Sequence, residues 1–172
     1  VFKKWLLTYL PFSIVKVYRR INFKMKNIPV RDSKFAKLSN KEIFSSIYQN
    51  NLWGSSEEED FFSGPGSNDL VISRKYFQAL MKHLKDDINN MTVIDLGCGD
   101  FKIGSMIYKK AKKYIGIDVV PELIKRNKKL FIDKNLKFLC LDIVKDEIPT
   151  ADCIMLREVL QHLTNEEVST IL

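Results

Sequence analysis

The sequence predicts an α/β fold built on a parallel sheet, and three observations carry that prediction. From Met91 onward, short apolar runs alternate with stretches of helical length and periodicity. The intervals between the runs are long enough for the crossover helices that parallel strands need, and too long for tight hairpins. Polar residues then recur at the carboxyl ends of the runs, where open parallel sheets bind their ligands.

Each element has its own signal. Ser39 caps a first helix, with Glu42 three residues on and Ile43, Phe44, Ile47 and Tyr48 at helical spacing. An irregular region from Gln49 to Asn68 follows, holding Trp53-Gly54, the acidic run Glu57–Asp60 and Ser63-Gly64-Pro65-Gly66-Ser67. A second helix covers about Asp69 to Leu84, apolar at Leu70, Phe77, Leu80 and Met81. The first strand is Thr92–Leu96, followed by the turn Gly97-Cys98-Gly99 and a helix to Lys110. The second strand, Tyr114–Asp118, leads to a helix opened by Pro121-Glu122. The third is Lys137–Leu141, ending at Asp142, and the fourth is Cys153–Leu156, ending at Arg157. A last helix is capped by Thr164, with Glu167 three residues later. The chain thus divides into a basic arm (1–38), a helical N-terminal extension (39–90) and an α/β core (91–172).

The 172 residues are 45% hydrophobic and 28% charged, with 7 Gly and 5 Pro, which suits one folded domain and excludes collagen-like and low-complexity classes. The net charge of +7 is unevenly spread. Residues 1–41 hold eleven basic groups against one acid, Asp32, whereas 42–172 hold seventeen basic against twenty acidic. The surplus belongs to the arm, and the body is mildly acidic. Within the arm, Trp5–Val15 is an uncharged run of eleven residues, far short of the roughly 20 that span a bilayer. Lys16-Val17-Tyr18-Arg19-Arg20 behind it offers no signal-peptide cleavage site. Residues 1–20 suit an amphipathic helix packed on its own domain and broken near Pro11, with peripheral contact with an anionic membrane as the less favoured reading. Cys98, Cys140 and Cys153 form no C-x-x-C pair and lie in apolar strands or a tight turn. They read as buried free thiols in a reducing compartment, which places the protein in the cytoplasm, with the arm allowing contact with the inner membrane surface. No metal site is expected.

The chemistry concentrates after the first strand. Gly97 and Gly99 let the backbone turn sharply from strand to helix and approach a ligand closely. A dinucleotide fingerprint G-x-G-x-x-G would need a third glycine where Lys102 stands, and no Gly-Lys-Ser/Thr marks a P-loop. Asp118, nineteen residues after Gly99 at the tip of the second strand, can accept hydrogen bonds from both hydroxyls of a ribose. Asp142, ending the third strand, can accept from an adenine amino group. A strand-end Asp also commonly caps the next helix, but three acidic residues at consecutive strands with a glycine turn point to a nucleoside.

The segments VIDLGCGD, YIGIDVVPELI, FLCLDI and ADCIMLREVLQHL resemble, in order and spacing, successive motifs of class I S-adenosylmethionine-dependent methyltransferases. IYQNNLWGS and SGPGS resemble the N-terminal segments of a narrower bacterial group in that superfamily, often found with surface-polysaccharide or other glycan biosynthesis genes. The resemblance covers roughly residues 40–170. It implies a Rossmann-like sheet of seven strands in the order 3-2-1-4-5-7-6, of which this chain supplies the first four. Since the chain begins at Val1 and stops at Leu172, it reads as a C-terminally truncated domain or one whose sheet a partner completes. By position, Asp95, Gly97 and Gly99 would shape the turn holding the methionine part of S-adenosylmethionine, Asp118 the ribose and Asp142 the adenine. Cys98, Val119 and Ile143 beside them complete that set. Gly64, Gly66 and Ser67, with Trp53, would form a cover over the cofactor; a plain surface turn, with Trp53 as a core anchor, accounts for them as well. Phe101 stands where many members have another glycine.

Methyl transfer from a sulfonium is a direct displacement, served by proximity and alignment. An oxygen nucleophile also benefits from a base. His162 is the candidate base, Glu158 would share a helix face with it at i,i+4 if the stretch is helical, and Arg157 would orient a polar or anionic acceptor. A structural histidine bonded to backbone is the competing reading for His162. The expected function is methylation of a small polar acceptor, a hydroxyl of a sugar or glycan precursor. Its rivals are an RNA- or protein-directed methyltransferase that uses the basic arm, and a non-catalytic cofactor-binding fragment. His83 reads as exposed, Lys109, Lys110, Lys112 and Lys113 as cations complementing a helix end, and Lys125, Arg126, Lys128 and Lys129 as a solvated helix face; no nucleic-acid recognition element is visible.

Overall fold

The central feature is a four-stranded, fully parallel sheet in the order β3-β2-β1-β4. The computed structural model describes residues 37–54 and 60–172, which belong to one compact unit, Lys37–Leu172. The arm at 1–36, with its expected membrane contact, and most of the acidic run lie outside the described residues. The strands are β1 (Thr92–Leu96), β2 (Lys113–Asp118), β3 (Leu136–Cys140) and β4 (Cys153–Leu156). β1 pairs with β2 from Thr92↔Lys113 to Leu96↔Ile117 and with β4 from Val93↔Cys153 to Leu96↔Leu156. The strand order is the one expected for the first four strands of a Rossmann-like methyltransferase sheet.

The helices are α1 (Asn40–Gln49), α2 (Pro65–Asn68), α3 (Leu70–Leu84), α4 (Gly104–Ile107), α5 (Pro121–Leu130) and α6 (Asn165–Ile171). α1 and α6 both begin with complete capping boxes, Ser39 with Glu42 and Thr164 with Glu167, as their sequences specify. Asp69 caps α3 through the amides of Val71 and Ile72. The expected helix from the glycine turn to Lys110 is instead the short α4 followed by a 3₁₀ turn, Tyr108–Lys110.

Residues alternate between the two faces of the sheet, and both faces are covered near the middle. Val93, Tyr114, Phe138 and Met155 face a core that includes Phe101 and Ile107, with Tyr76, Phe77, Leu80, Met81 and Leu84 of α3 against it. Ile94, Leu96, Ile115 and Ile117 face the other side, with Leu139, Leu141, Ile143, Ile148 and Leu156. Leu70, expected on the apolar face of α3, is 59% exposed. It sits at the first helical position, before Ser73, the one buried residue of that helix. Cys98 is buried and Cys153 half-buried, but Cys140 is exposed because it ends the edge strand β3. The expectation of three buried thiols is corrected at that position. No helix among the described residues is long and apolar enough to cross a membrane.

Candidate functional site

The turn after β1 is stitched to β2 before any ligand is considered. Gly97 and Gly99 have φ of 71° and 54°, the left-handed region that favours glycine. Side chains also crowd the two positions: a Cβ at Gly97 would run into Val159, and one at Gly99 into Ser63. The amides of Gly97 and Cys98 both donate to the carbonyl of Ile117, at 2.8 and 2.9 Å. The Gly99 amide donates to Asp118 Oδ2 at 3.0 Å, and the Val120 amide to Asp118 Oδ1 at 3.1 Å. Asp118 is therefore held at the strand tip with both oxygens oriented by backbone. The thiol of Cys98 is buried under the turn, and burial pushes its pKa well up.

Asp95, near the end of β1, is buried and accepts a hydrogen bond from the Tyr114 hydroxyl at 3.0 Å. Burial pushes the carboxyls of both Asp95 and Asp118 up to about 6. The Tyr114 hydrogen bond opposes the rise at Asp95, and backbone hydrogen bonds from Val120, Gly99 and Val119 oppose it at Asp118. Each also feels a neighbouring carboxylate, Asp118 in the first case and Asp100 in the second. The fold thus concentrates buried acidic groups beside the glycine turn.

Two residues of α5, Asn127 and Arg126, support this turn. Asn127 is fully buried and its Nδ2 donates to the Gly99 carbonyl at 2.8 Å. Arg126 Nη1 donates to the Asp100 carbonyl at 3.1 Å, so Arg126 does not belong to the solvated face assigned to residues 125–129. A signal for Asn127 does exist: it follows Leu123 and Ile124 at helical spacing, placing a polar side chain on the apolar face of α5. Burial there requires a partner, and the glycine turn supplies it.

Asp142 occupies a turn of its own. Its Oδ1 accepts from the Val144 amide at 3.0 Å, and its own amide donates to Asp146 Oδ2 at 2.7 Å. No helix follows Asp142 before β4, so its side chain caps a turn rather than the next helix. It remains half-buried beside Leu141, whose amide bonds the Asp118 carbonyl at 3.1 Å. Val119 is half-buried next to Asp118, whereas Ile143 packs into the apolar cluster on the opposite face of the sheet.

The N-terminal extension reaches this same end of the sheet. Gly64 (φ 91°) starts α2, and Gly66 is buried. Ser63 and Asp100 exchange hydrogen bonds: the Ser63 amide donates to Asp100 Oδ2 at 3.2 Å, and the Asp100 amide to Ser63 Oγ at 2.8 Å. The Tyr48 hydroxyl meets the same Ser63 Oγ at 2.9 Å. SGPGS is thus a packed segment and not a free surface turn. Trp53 packs edge-on against Tyr48, with centroids 5.3 Å apart, and lies 5.1 Å from the ring of His162. It has the surroundings of a packing anchor, and its buried Nε1 finds no hydrogen-bond partner among the described residues.

The candidate catalytic stretch departs from the expected geometry. Glu158 has φ 55°, and only Leu160–His162 forms a 3₁₀ turn, so Glu158 and His162 do not share an α-helical face. A left-handed residue two positions past β4 breaks the helical repeat that the i,i+4 relation needed. His162 packs on Trp53 and Phe44, and burial lowers its pKa to about 4. It is neutral at pH 7 and a weaker base than a solvated histidine. Arg157 is committed to protein groups: Nη2 donates to the Gly66 carbonyl at 3.1 Å and to Glu158 Oε1 at 3.0 Å, and the guanidinium lies over the Tyr76 ring. Among the described residues no cluster of three or more His, Cys, Asp or Glu is arranged to hold a metal ion.

Comparison with known proteins agrees with this architecture. Residues 87–169 match a family described as a methyltransferase domain. An uncharacterised RNA methyltransferase of Clostridium acetobutylicum is 37% identical over 76 residues, an alignment covering 42% of this chain and 16% of that protein. The mitochondrial ubiquinone biosynthesis O-methyltransferase of Bos taurus is 31% identical over 88 residues, covering 46% of this chain and 24% of that protein. The chain therefore spans well under half the length of these curated relatives. Among solved structures, magnesium protoporphyrin IX methyltransferase from Synechocystis PCC 6803 with bound SAM superposes with a TM-score of 0.55 at 17% identity, covering 79% of this chain and 70% of that one. The N-methyltransferase NodS from Bradyrhizobium japonicum WM9, in complex with S-adenosyl-L-homocysteine, gives 0.52 at 19% identity, covering 72% and 63%. The fold is that of the Rossmann-like class I methyltransferases, and residues 87–169 carry the match to their methyltransferase domain.

Proposed function

We propose that this chain binds S-adenosylmethionine at the carboxyl ends of β1–β3 and transfers its methyl group to a hydroxyl of a small polar acceptor, a sugar or glycan precursor. The observation that carries the cofactor reading is the glycine turn bonded to Asp118, whose buried carboxylate stands at the tip of β2. The donor set fits the group. Asp118 offers two oriented acceptors to a ribose diol, and Gly97 and Gly99 give close backbone approach. The buried carboxylates favour a cationic ligand next to them. The bound group supplies an activated methyl on a sulfonium. This chain's residues bind it, hold it against the turn and exclude water. Asp142 faces the adenine end in this reading, giving up no backbone contact except the one to Val144.

The acceptor class rests on the resemblance of SGPGS and the neighbouring motifs to a glycan-associated group. His162 remains the proposed proton acceptor, acting as a neutral imidazole. Calorimetry with S-adenosylmethionine and S-adenosylhomocysteine tests the cofactor, and micromolar binding is expected. Absence of binding to both would end the reading. Mass spectrometry of glycan intermediates incubated with and without the protein then tests the acceptor through a gain of one methylene mass. A second reading, RNA as acceptor, is favoured by the eleven basic groups in residues 1–41 and by the similarity to a protein named as an RNA methyltransferase. RNA binding with a steep salt dependence would support it over the glycan.

A further inference from the structure

The cover and the sheet meet in a contact that neither the glycine turn nor the acceptor explains. We propose that Arg157 is a positioning residue for the cofactor: it clasps the segment Ser63–Asn68 to the end of β4, while Ser63 clasps the other end of that segment to the glycine turn. The proposal rests on the cofactor reading above and names the residues that would hold the cover in place.

The geometry is specific. Arg157 directly follows β4, ninety-one positions from Gly66, yet Nη2 donates to the Gly66 carbonyl at 3.1 Å and Nη1 reaches Ser67 Oγ at 3.5 Å. The same Nη2 also donates to Glu158 Oε1 at 3.0 Å, and the guanidinium carbon lies 5.3 Å from the centroid of the Tyr76 ring. The Arg157 side chain is only 13% exposed, and its bonds to Gly66 and Ser67 are better sheltered than the one to Glu158, whose side chain is 39% exposed. Glu158 adopts a left-handed backbone conformation, and its carboxylate packs where a Cβ on Gly66 would stand. Gly66 is not in the left-handed region, and a side chain there would displace the flexible end of Glu158. At the opposite end Ser63 and Asp100 exchange two hydrogen bonds, one residue from Gly99. The Ser73 hydroxyl anchors the far side of α2 by donating to the Ser67 carbonyl at 3.1 Å.

The segment is held at two points, beside the glycine turn that follows β1 and beside the residue that follows β4, and so borders the end of the sheet where the proposed ligand binds. Lysine keeps the charge at 157 but is a point donor on a flexible stem, without the planar fork that bonds Gly66 and Ser67 together while stacking on Tyr76. The clasp therefore predicts a marked difference between two cationic residues.

The test uses the full chain and S-adenosylhomocysteine as the probe, in wild type, Arg157→Lys, Ser63→Ala and the double variant. Calorimetric Kd should weaken about tenfold in each single variant. Because both points serve one clasp, the double variant should weaken by less than the product of the two. Hydrogen exchange of amides 63–68 should accelerate in ligand-free Arg157→Lys, while the β1 and β2 amides keep wild-type protection, which separates loss of the clasp from unfolding. Glu158→Gln is the second variant and should show the same pattern more weakly. Wild-type Kd and wild-type exchange at 63–68 in Arg157→Lys would overturn the proposal alone. Failure of the wild type to bind the probe would overturn the cofactor reading and the proposal with it.

Discussion

At the scale of single residues, burial decides what the candidate site can do. Asp118 sits at about 6 because the fold strips water from it, against the pull of its backbone hydrogen bonds. A ligand whose hydroxyls donate to Asp118 selects the ionised carboxylate, and protonation competes with it. Cofactor affinity is therefore expected to be level above pH 7 and to fall toward about tenfold per unit once the pH is well below 6. Asp118→Asn should lose about 1.5–3 kcal/mol of binding at pH 7, the worth of a hydrogen bond to a charged group, and should lose most of that pH dependence. Calorimetry between pH 5 and 8 checks both. The same desolvation acts oppositely on His162, which is held neutral. Phe101 shows a different cost. It is fully buried, meets Tyr114, Phe131 and Phe138 edge-on, and yet has φ 66°. Removing the ring should cost about 3–5 kcal/mol in urea unfolding of Phe101→Ala. Phe101→Gly should be less damaging by about 1 kcal/mol, because glycine accepts the left-handed backbone that alanine resists.

At the scale of elements, α5 does more than cover the sheet. Its apolar stripe, Leu123 and Ile124, packs on the core, and Asn127 on the same face secures the Gly99 carbonyl. Asn127→Leu keeps the volume but leaves that buried carbonyl without the side-chain donor. A loss of about 1–3 kcal/mol is expected in thermal or urea unfolding, together with weaker binding of S-adenosylhomocysteine. Unchanged stability would show that the turn holds its shape without α5. The sequence made the helix itself legible: Pro121 opens it, and apolar spacing places its inner face. What the spacing left open was the partner of Asn127, since Gly99 lies twenty-eight residues away and only the βαβ crossover brings them together. The stretch after β4 went the other way. Its residues suit a helix, but the left-handed Glu158 packed against Gly66 breaks the helix before it starts.

At the scale of the whole molecule, protection should follow position in the sheet. β1 and β2 have partners on both sides and side chains buried on both faces, whereas β3 and β4 lie at the edges of the described sheet, with Ile154 of β4 56% exposed. Native-state hydrogen exchange should be slowest at Val93–Leu96 and Ile115–Ile117 and faster in β3 and β4. Equal rates across all four strands would contradict this ranking. The sequence by itself determined the local features: the strands, the two capping boxes, the glycine turn and the acidic residues of the strand ends. Those depend on propensity and on neighbours within a few residues, which the sequence displays directly. Only the tertiary structure decided that Arg157 grips Gly66, that Asn127 and Arg126 brace the turn, that Cys140 is exposed and that His162 is desolvated by Trp53 and Phe44. Each of these depends on which distant surface meets a side chain, because burial and hydrogen-bond partners are set by packing between elements rather than by the order of residues within one.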